Sequence, residues 1–90
     1  MKIQQLGLAV APKAGAEALV VTSIDDEGVA AEYGLKIGDV ILEAGGRNAG
    51  SAGDLRNAVQ TAEKGGKRTV LMRMRSGTTA RYVTLPVGHG

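Results

Sequence analysis

Ninety residues with 43% hydrophobic content fit one small domain and leave no room for a second. The absence of cysteine excludes disulfides, zinc–thiolate centres and thiol nucleophiles, but it does not identify a redox compartment. Eleven Lys and Arg against nine Asp and Glu give a net charge of +2, which is too small and too scattered to indicate a nucleic-acid partner.

The sequence contains neither a candidate membrane span nor a recognisable export signal. No apolar run approaches the roughly 18 residues that a span requires, so direct membrane insertion is not expected. Residues 1–5 lack the apolar stretch of a signal peptide and are interpreted as an N-terminal tail or as residues added for expression. If the protein is exported, this chain is therefore a fragment.

The first elements predicted along the chain are two strands. Leu6, Leu8 and Val10 alternate with smaller residues, which predicts a strand, and Gly7 permits close backbone approach where that strand begins. Residues 11–15 break the strand, and residues 19–24 form the next one.

A short helix and a buried strand follow. The acidic turn at residues 25–28 leads into a helix over residues 29–33, which ends at Gly34 with Leu35 packing back. Residues 39–44 contain consecutive apolar side chains and predict a central, buried strand, after which Gly45 and Gly46 form a turn.

The second half predicts one longer helix and a hairpin. Ser51 and Asp54 resemble a capping box, and Leu55, Ala58, Val59 and Ala62 recur at helical spacing, so residues 54–62 form an amphipathic helix. Residues 68–75 and 81–87 form a hairpin, and residues 88–90 are expected to be a disordered tail. Two helices among five or six short strands predict a small α+β, partly open barrel.

Four segments resemble PDZ domains, particularly those of the bacterial HtrA/Deg serine proteases. These segments are residues 30–42, which contain Gly34-Leu35-Lys36-Ile37-Gly38-Asp39, and residues 54–59, 73–77 and 81–86. The resemblance covers residues 6–87 and is nearest to the second, C-terminal PDZ domain of that family. It implies a partly open five- to six-stranded antiparallel barrel or sandwich capped by two helices.

The resemblance also implies a peptide-binding function. A loop of backbone amides at Leu6, Gly7 and Leu8 would bind a peptide carboxylate, and the free edge from Leu8 to Val10 would accept the peptide as an added strand. The expected partners are peptides or unfolded-protein segments with aliphatic C-terminal residues, together with neighbouring protease and PDZ domains. The groove predicted for them is lined by Ala9, Val10, Asp54, Leu55, Ala58, Val59 and Ala62.

Several of these residues have a structural role as the alternative to peptide binding. Gly7 alone would more often relieve crowding where a strand enters a sheet. Leu55 and Val59 are expected to be mostly core, which leaves Ala58 and Ala62 as the better groove candidates. Asp54 aligns with the PDZ helix position that often carries His, so a Ser or Thr preference in the ligand is not expected.

No catalytic site is predicted within the chain. The one histidine, His89, is in the expected C-terminal tail, and no loop has phosphate-binding or calcium-binding spacing, so no cofactor and no metal are expected. The resemblance implies a noncatalytic module that serves a periplasmic serine endopeptidase. Two alternatives remain: an assembly module that contacts neighbouring domains, or the PDZ domain of a site-2 or C-terminal processing protease.

Overall fold

The computed structural model describes residues 2–3 and 6–87 and forms one antiparallel sheet with two helices. The helices are α1 (Val29–Glu32) and α2 (Ala52–Lys64), and the strands are β1 (Lys2–Ile3), β2 (Leu8–Pro12), β3 (Leu19–Ile24), β4 (Val40–Ala44), β5 (Arg47–Asn48), β6 (Thr69–Ser76) and β7 (Thr79–Pro86). The strand order is β1-β2-β3-β4-β6-β7, and β5 pairs with β4. This open sheet confirms the predicted α+β class.

The largest difference from prediction is at the N-terminus. Lys2 and Ile3, assigned to a tail, form β1 and pair antiparallel with β2. The first predicted strand begins at Leu8 rather than Leu6, because Leu6 and Gly7 form the turn that joins β1 to β2. β2 also continues to Pro12, which pairs with Leu19 of β3.

The short helix ends as the sequence predicts. Tyr33 caps α1, Gly34 adopts a left-handed φ of +81°, and the Leu35 amide returns to the Ala30 carbonyl at 3.0 Å. The Leu35 side chain is buried, which completes the predicted packing of this residue against the helix.

The longer helix extends beyond its predicted range at both ends. The Ser51 hydroxyl accepts a hydrogen bond from the Asp54 amide at 3.1 Å, which confirms the predicted N-cap. Leu55, Val59 and Ala62 are buried, so this stripe anchors α2 on the sheet.

The hairpin of β6 and β7 carries much of the core. Val70, Met72 and Met74 are buried on β6, and Val83 and Leu85 are buried on β7. Because the sequence has no Phe and no Trp, aliphatic and methionine side chains fill the core. β4 is central, as predicted, because it lies between β3 and β6.

Asp39 is the one buried charged residue in the described part of the chain. Its carboxylate accepts hydrogen bonds from the Lys36 amide and from the Ser76 hydroxyl, both at 3.0 Å. These bonds fix the turn before β4 and link that turn to the end of β6.

Neither helix that the structure describes is long and apolar enough to cross a membrane. Residues 2–3 and 6–87 also contain no group of His, Asp and Glu side chains arranged to hold a metal ion. The predicted tail at residues 88–90 lies outside the described residues.

Candidate functional site

The loop predicted to bind a carboxylate already binds an oxygen of this chain. The Leu6 and Gly7 amides both donate to the Ile3 carbonyl, at 3.1 and 3.0 Å. Gly7 adopts a φ of +68°, which turns the chain from the loop into β2. The two amides therefore converge on a single acceptor at the end of an antiparallel strand.

The carbonyls of the same loop are fixed by the segment that contains α1. The Leu6 carbonyl accepts from the Ala30 amide and the Gly7 carbonyl accepts from the Asp25 amide, both at 2.9 Å. A Cβ atom at Gly7 would lie 2.8 Å from the Gly28 Cα. Glycine at position 7 therefore allows close backbone packing against Gly28, as the structural interpretation expected, and also allows the turn into β2.

The predicted free edge of β2 is not free where the structure places β1. One edge of β2 pairs with β3, and the other pairs with β1 through the partners Ile3–Leu8 and Lys2–Ala9. The prediction of a free edge is therefore wrong at Leu8 and Ala9. The physical reason is the turn at Leu6 and Gly7, whose amides bond to the Ile3 carbonyl and hold β1 beside β2.

The aliphatic side chains of the predicted loop and groove are largely closed to solvent. Leu55 and Val59 are buried in one hydrophobic cluster, as expected for core residues, and Leu6, Leu8 and Val10 are buried in the same cluster. Ile3 belongs to this cluster too and is only 1% exposed. Because cross-strand partners point to the same face, Ile3 lies beside Leu8 on the core side of the sheet.

Ala58 and Ala62, the preferred groove candidates, lie toward a different part of the sheet. A Cβ atom at Gly45 would be 3.5 Å from the Ala58 Cβ, so Ala58 faces the β4–β5 turn. Ala62 borders a surface cleft of about 450 Å³ together with Gly45, Lys67 and Val70. Neither observation places these alanines against β2.

Helix geometry separates two flanks of α2 on either side of its buried stripe. Successive residues are 100° apart on a helix, so Arg56 and Glu63 lie on the flank opposite Ala58, beside Val59. Both charged residues are half-buried. Neither residue is among those predicted from the sequence; the available signal is their spacing of seven residues, which places them on one stripe of the helix. Asp54 is exposed one turn before Ala58 and shares its flank.

Residues 5–85 match the model of the PDZ domain family, which identifies the fold described above. The chain belongs to the PDZ family. Among curated proteins, this PDZ domain is 35% identical over 85 residues to a probable periplasmic serine endoprotease DegP-like from Brucella suis biovar 1. That alignment covers 94% of the chain but 17% of the relative.

Solved structures agree with the PDZ fold. The HtrA3 PDZ domain bound to the phage-derived ligand FGRWV has a TM-score of 0.74 at 17% identity, covering 91% of this chain and 80% of that one. An HtrA-type protease with a decapeptide has a TM-score of 0.69 at 23% identity, covering 92% of this chain and 28% of that one. At such identities the likeness establishes the fold alone.

Proposed function

We propose that this PDZ domain binds C-terminal or extended hydrophobic peptide segments by strand addition at β2, beside α2. The observation that carries the proposal is the convergence of the Leu6 and Gly7 amides on one carbonyl oxygen at the end of an antiparallel strand. A peptide carboxylate in the same place would accept charge-assisted hydrogen bonds, which are about twice as strong as neutral ones.

Selectivity in this proposal comes from the apolar cluster next to the loop. Leu6, Leu8 and Val59 are aliphatic and buried, so a terminal Val, Leu or Ile suits the site better than a charged residue. Each added backbone hydrogen bond contributes about 1 kcal/mol, and ordering the peptide opposes binding. The expected affinity is therefore about micromolar or weaker.

The parent protein in this proposal is a periplasmic serine endopeptidase, in which the present domain is noncatalytic. The support is the similarity to DegP-like endoproteases, of which this chain spans about a sixth. The peptide complexes of the HtrA3 PDZ domain and of an HtrA-type protease support a peptide partner here. Weak binding suits a protease that must release unfolded segments after recognising them, and several linked copies would raise avidity.

Heteronuclear NMR titration tests the peptide site. The probe is a pentapeptide ending in Val, and its matched control is the same peptide with an amidated C-terminus. We expect shifts at Gly7, Ala9 and Arg56 with the free acid and at least tenfold weaker binding with the amide. Shifts confined to Gly45 and Lys67 would place the peptide in the cleft beside Ala62, contradicting the proposed groove.

A second candidate function, contact with a neighbouring domain, is favoured by the outer face of β6 and β7. Leu71 and Tyr82 are 48% and 66% exposed on that face, and their register makes them diagonal neighbours. If this face is an interface, Leu71→Ser with Tyr82→Ser would shift the sedimentation of the multidomain protease toward smaller species. The exposed-site control Thr22→Ser should leave it unchanged, and identical sedimentation of all three proteins would exclude this role.

A further inference from the structure

The N-terminal strand β1 makes the contacts that the proposed function assigns to an external peptide. Its backbone runs antiparallel to β2, with Lys2 opposite Ala9 and Ile3 opposite Leu8. A peptide added to β2 by strand addition would use this same edge, since the other edge pairs with β3.

The end of β1 matches the end of such a peptide in chemistry as well. The Ile3 carbonyl accepts the Leu6 and Gly7 amides, which are the donors proposed for a carboxylate. The Ile3 side chain is 1% exposed within the cluster that contains Leu6 and Leu8, which are the residues proposed to receive an aliphatic terminal side chain. Ile3 thus fills both the polar and the apolar parts of the site.

We propose that β1 is an internal competitor that occupies the peptide groove, so that peptide binding requires Lys2 and Ile3 to detach from β2. The inference rests on the proposed peptide-binding function and adds its regulation. The ligand class it selects is a peptide with a free terminal carboxylate and an aliphatic last residue.

The energetic balance makes such an exchange feasible. β1 has two residues, so few ladder hydrogen bonds are lost when it leaves. Its acceptor at the loop is a neutral carbonyl, whereas a peptide terminus offers a carboxylate, which binds backbone amides more strongly. A longer peptide with a free terminus can therefore displace the internal strand, while an internal peptide segment has no such advantage at the loop.

The effect on affinity follows from the population of the open groove. If β1 is attached in about ten molecules for each open one, the apparent Kd for a peptide is raised about tenfold over that of the open form. A variant without the competitor should therefore bind about tenfold more tightly.

The first test removes residues 1–3 and measures binding of the Val-terminated pentapeptide by NMR titration or calorimetry. We expect the apparent Kd to fall about tenfold relative to the 90-residue chain. Because the truncation also removes a core side chain, Val83→Ala, which alters the core on the opposite edge strand β7, serves as the destabilised control and should leave Kd unchanged. An unchanged Kd in the folded truncation would overturn the proposal.

The second test locks the strand in place. Lys2 and Ala9 are direct cross-strand partners, a separation suited to a disulfide, and the sequence has no other cysteine to interfere. In the double variant Lys2→Cys with Ala9→Cys, the oxidised form should bind the pentapeptide at least tenfold more weakly than the reduced form. Equal affinity of both forms would refute competition by β1 without contradicting the peptide-binding function. If the 90-residue chain, the truncation and the reduced form all fail to bind the pentapeptide, both the competition and the peptide-binding function are refuted.

Discussion

Replacing Gly7 by alanine should destabilise the domain through two separable effects. The residue adopts a φ of +68°, where an alanine costs roughly 1–2 kcal/mol. A Cβ atom at this position would also lie 2.8 Å from the Gly28 Cα, so the backbone must shift, at a cost of roughly 1–3 kcal/mol. The sum is roughly 2–5 kcal/mol of the free energy of unfolding, against a total on the order of 5–10 kcal/mol for a domain of this size.

Two other glycines isolate the two contributions. Gly77 has a φ of +61°, and a Cβ atom added there would meet no heavy atom within 4 Å, so Gly77→Ala tests the conformational cost alone. Gly28 has an ordinary extended backbone but would place its Cβ 2.9 Å from the Gly7 Cα, so Gly28→Ala tests the steric cost alone. The loss in Gly7→Ala should approach the sum of the two.

Urea denaturation followed by far-UV circular dichroism suits a chain that has no tryptophan. Gly7→Ala should unfold at a clearly lower urea concentration than either control and melt at least about 10 °C lower than the parent chain. If Gly7→Ala and Gly77→Ala unfold at the same urea concentration, the argument that Gly7 is required by its contact with Gly28 is refuted.

Three further predictions concern single interactions. Ser51→Ala removes the cap of α2 and should lower the free energy of unfolding by about 1 kcal/mol, while Ser51→Asp retains it; equal thermal stability of the two variants would contradict the cap. Asp39→Ala removes the acceptor for two hydrogen bonds and should cost roughly 2–4 kcal/mol in urea denaturation, more than Ser76→Ala, which removes one; a reversed order would be inconsistent with this network. Arg73 and Glu43 form a partly exposed ion pair at 3.4 Å, so a double-mutant cycle should give a coupling below about 1 kcal/mol that falls further with added salt, and a larger, salt-independent coupling would argue against solvent screening.

The elements that could be predicted are those whose patterns are local. β3 has the predicted bounds because apolar residues flanked by turn residues suffice to specify a strand, and α2 was found from its apolar spacing and the Ser51 cap. β1 could not be found this way, because a two-residue strand has no periodicity and becomes recognisable only when its pairing with β2 is known.

The site was predictable in its loop but not in its surroundings. Gly7 was singled out correctly as a position of close backbone approach, yet its partner Gly28 is distant in sequence and no local signal joins the two. Helical spacing placed Ala58 on the apolar side of α2, but it could not decide between the β2 flank and the Gly45 flank, because that choice depends on how the helix docks.

The coverage of β2 by β1 also bears on aggregation. Unpaired backbone groups along a sheet edge are a template for pairing with other chains, and native proteins blunt such edges with charged residues and proline. β7, the edge strand at the other end of the sheet, carries Arg81 and Pro86, whereas β2 has neither charge nor proline at Leu8 and Ala9. β1 therefore covers the part of the β2 edge that has no charged residue and no proline. Detachment of β1 at high protein concentration would favour intermolecular β-pairing.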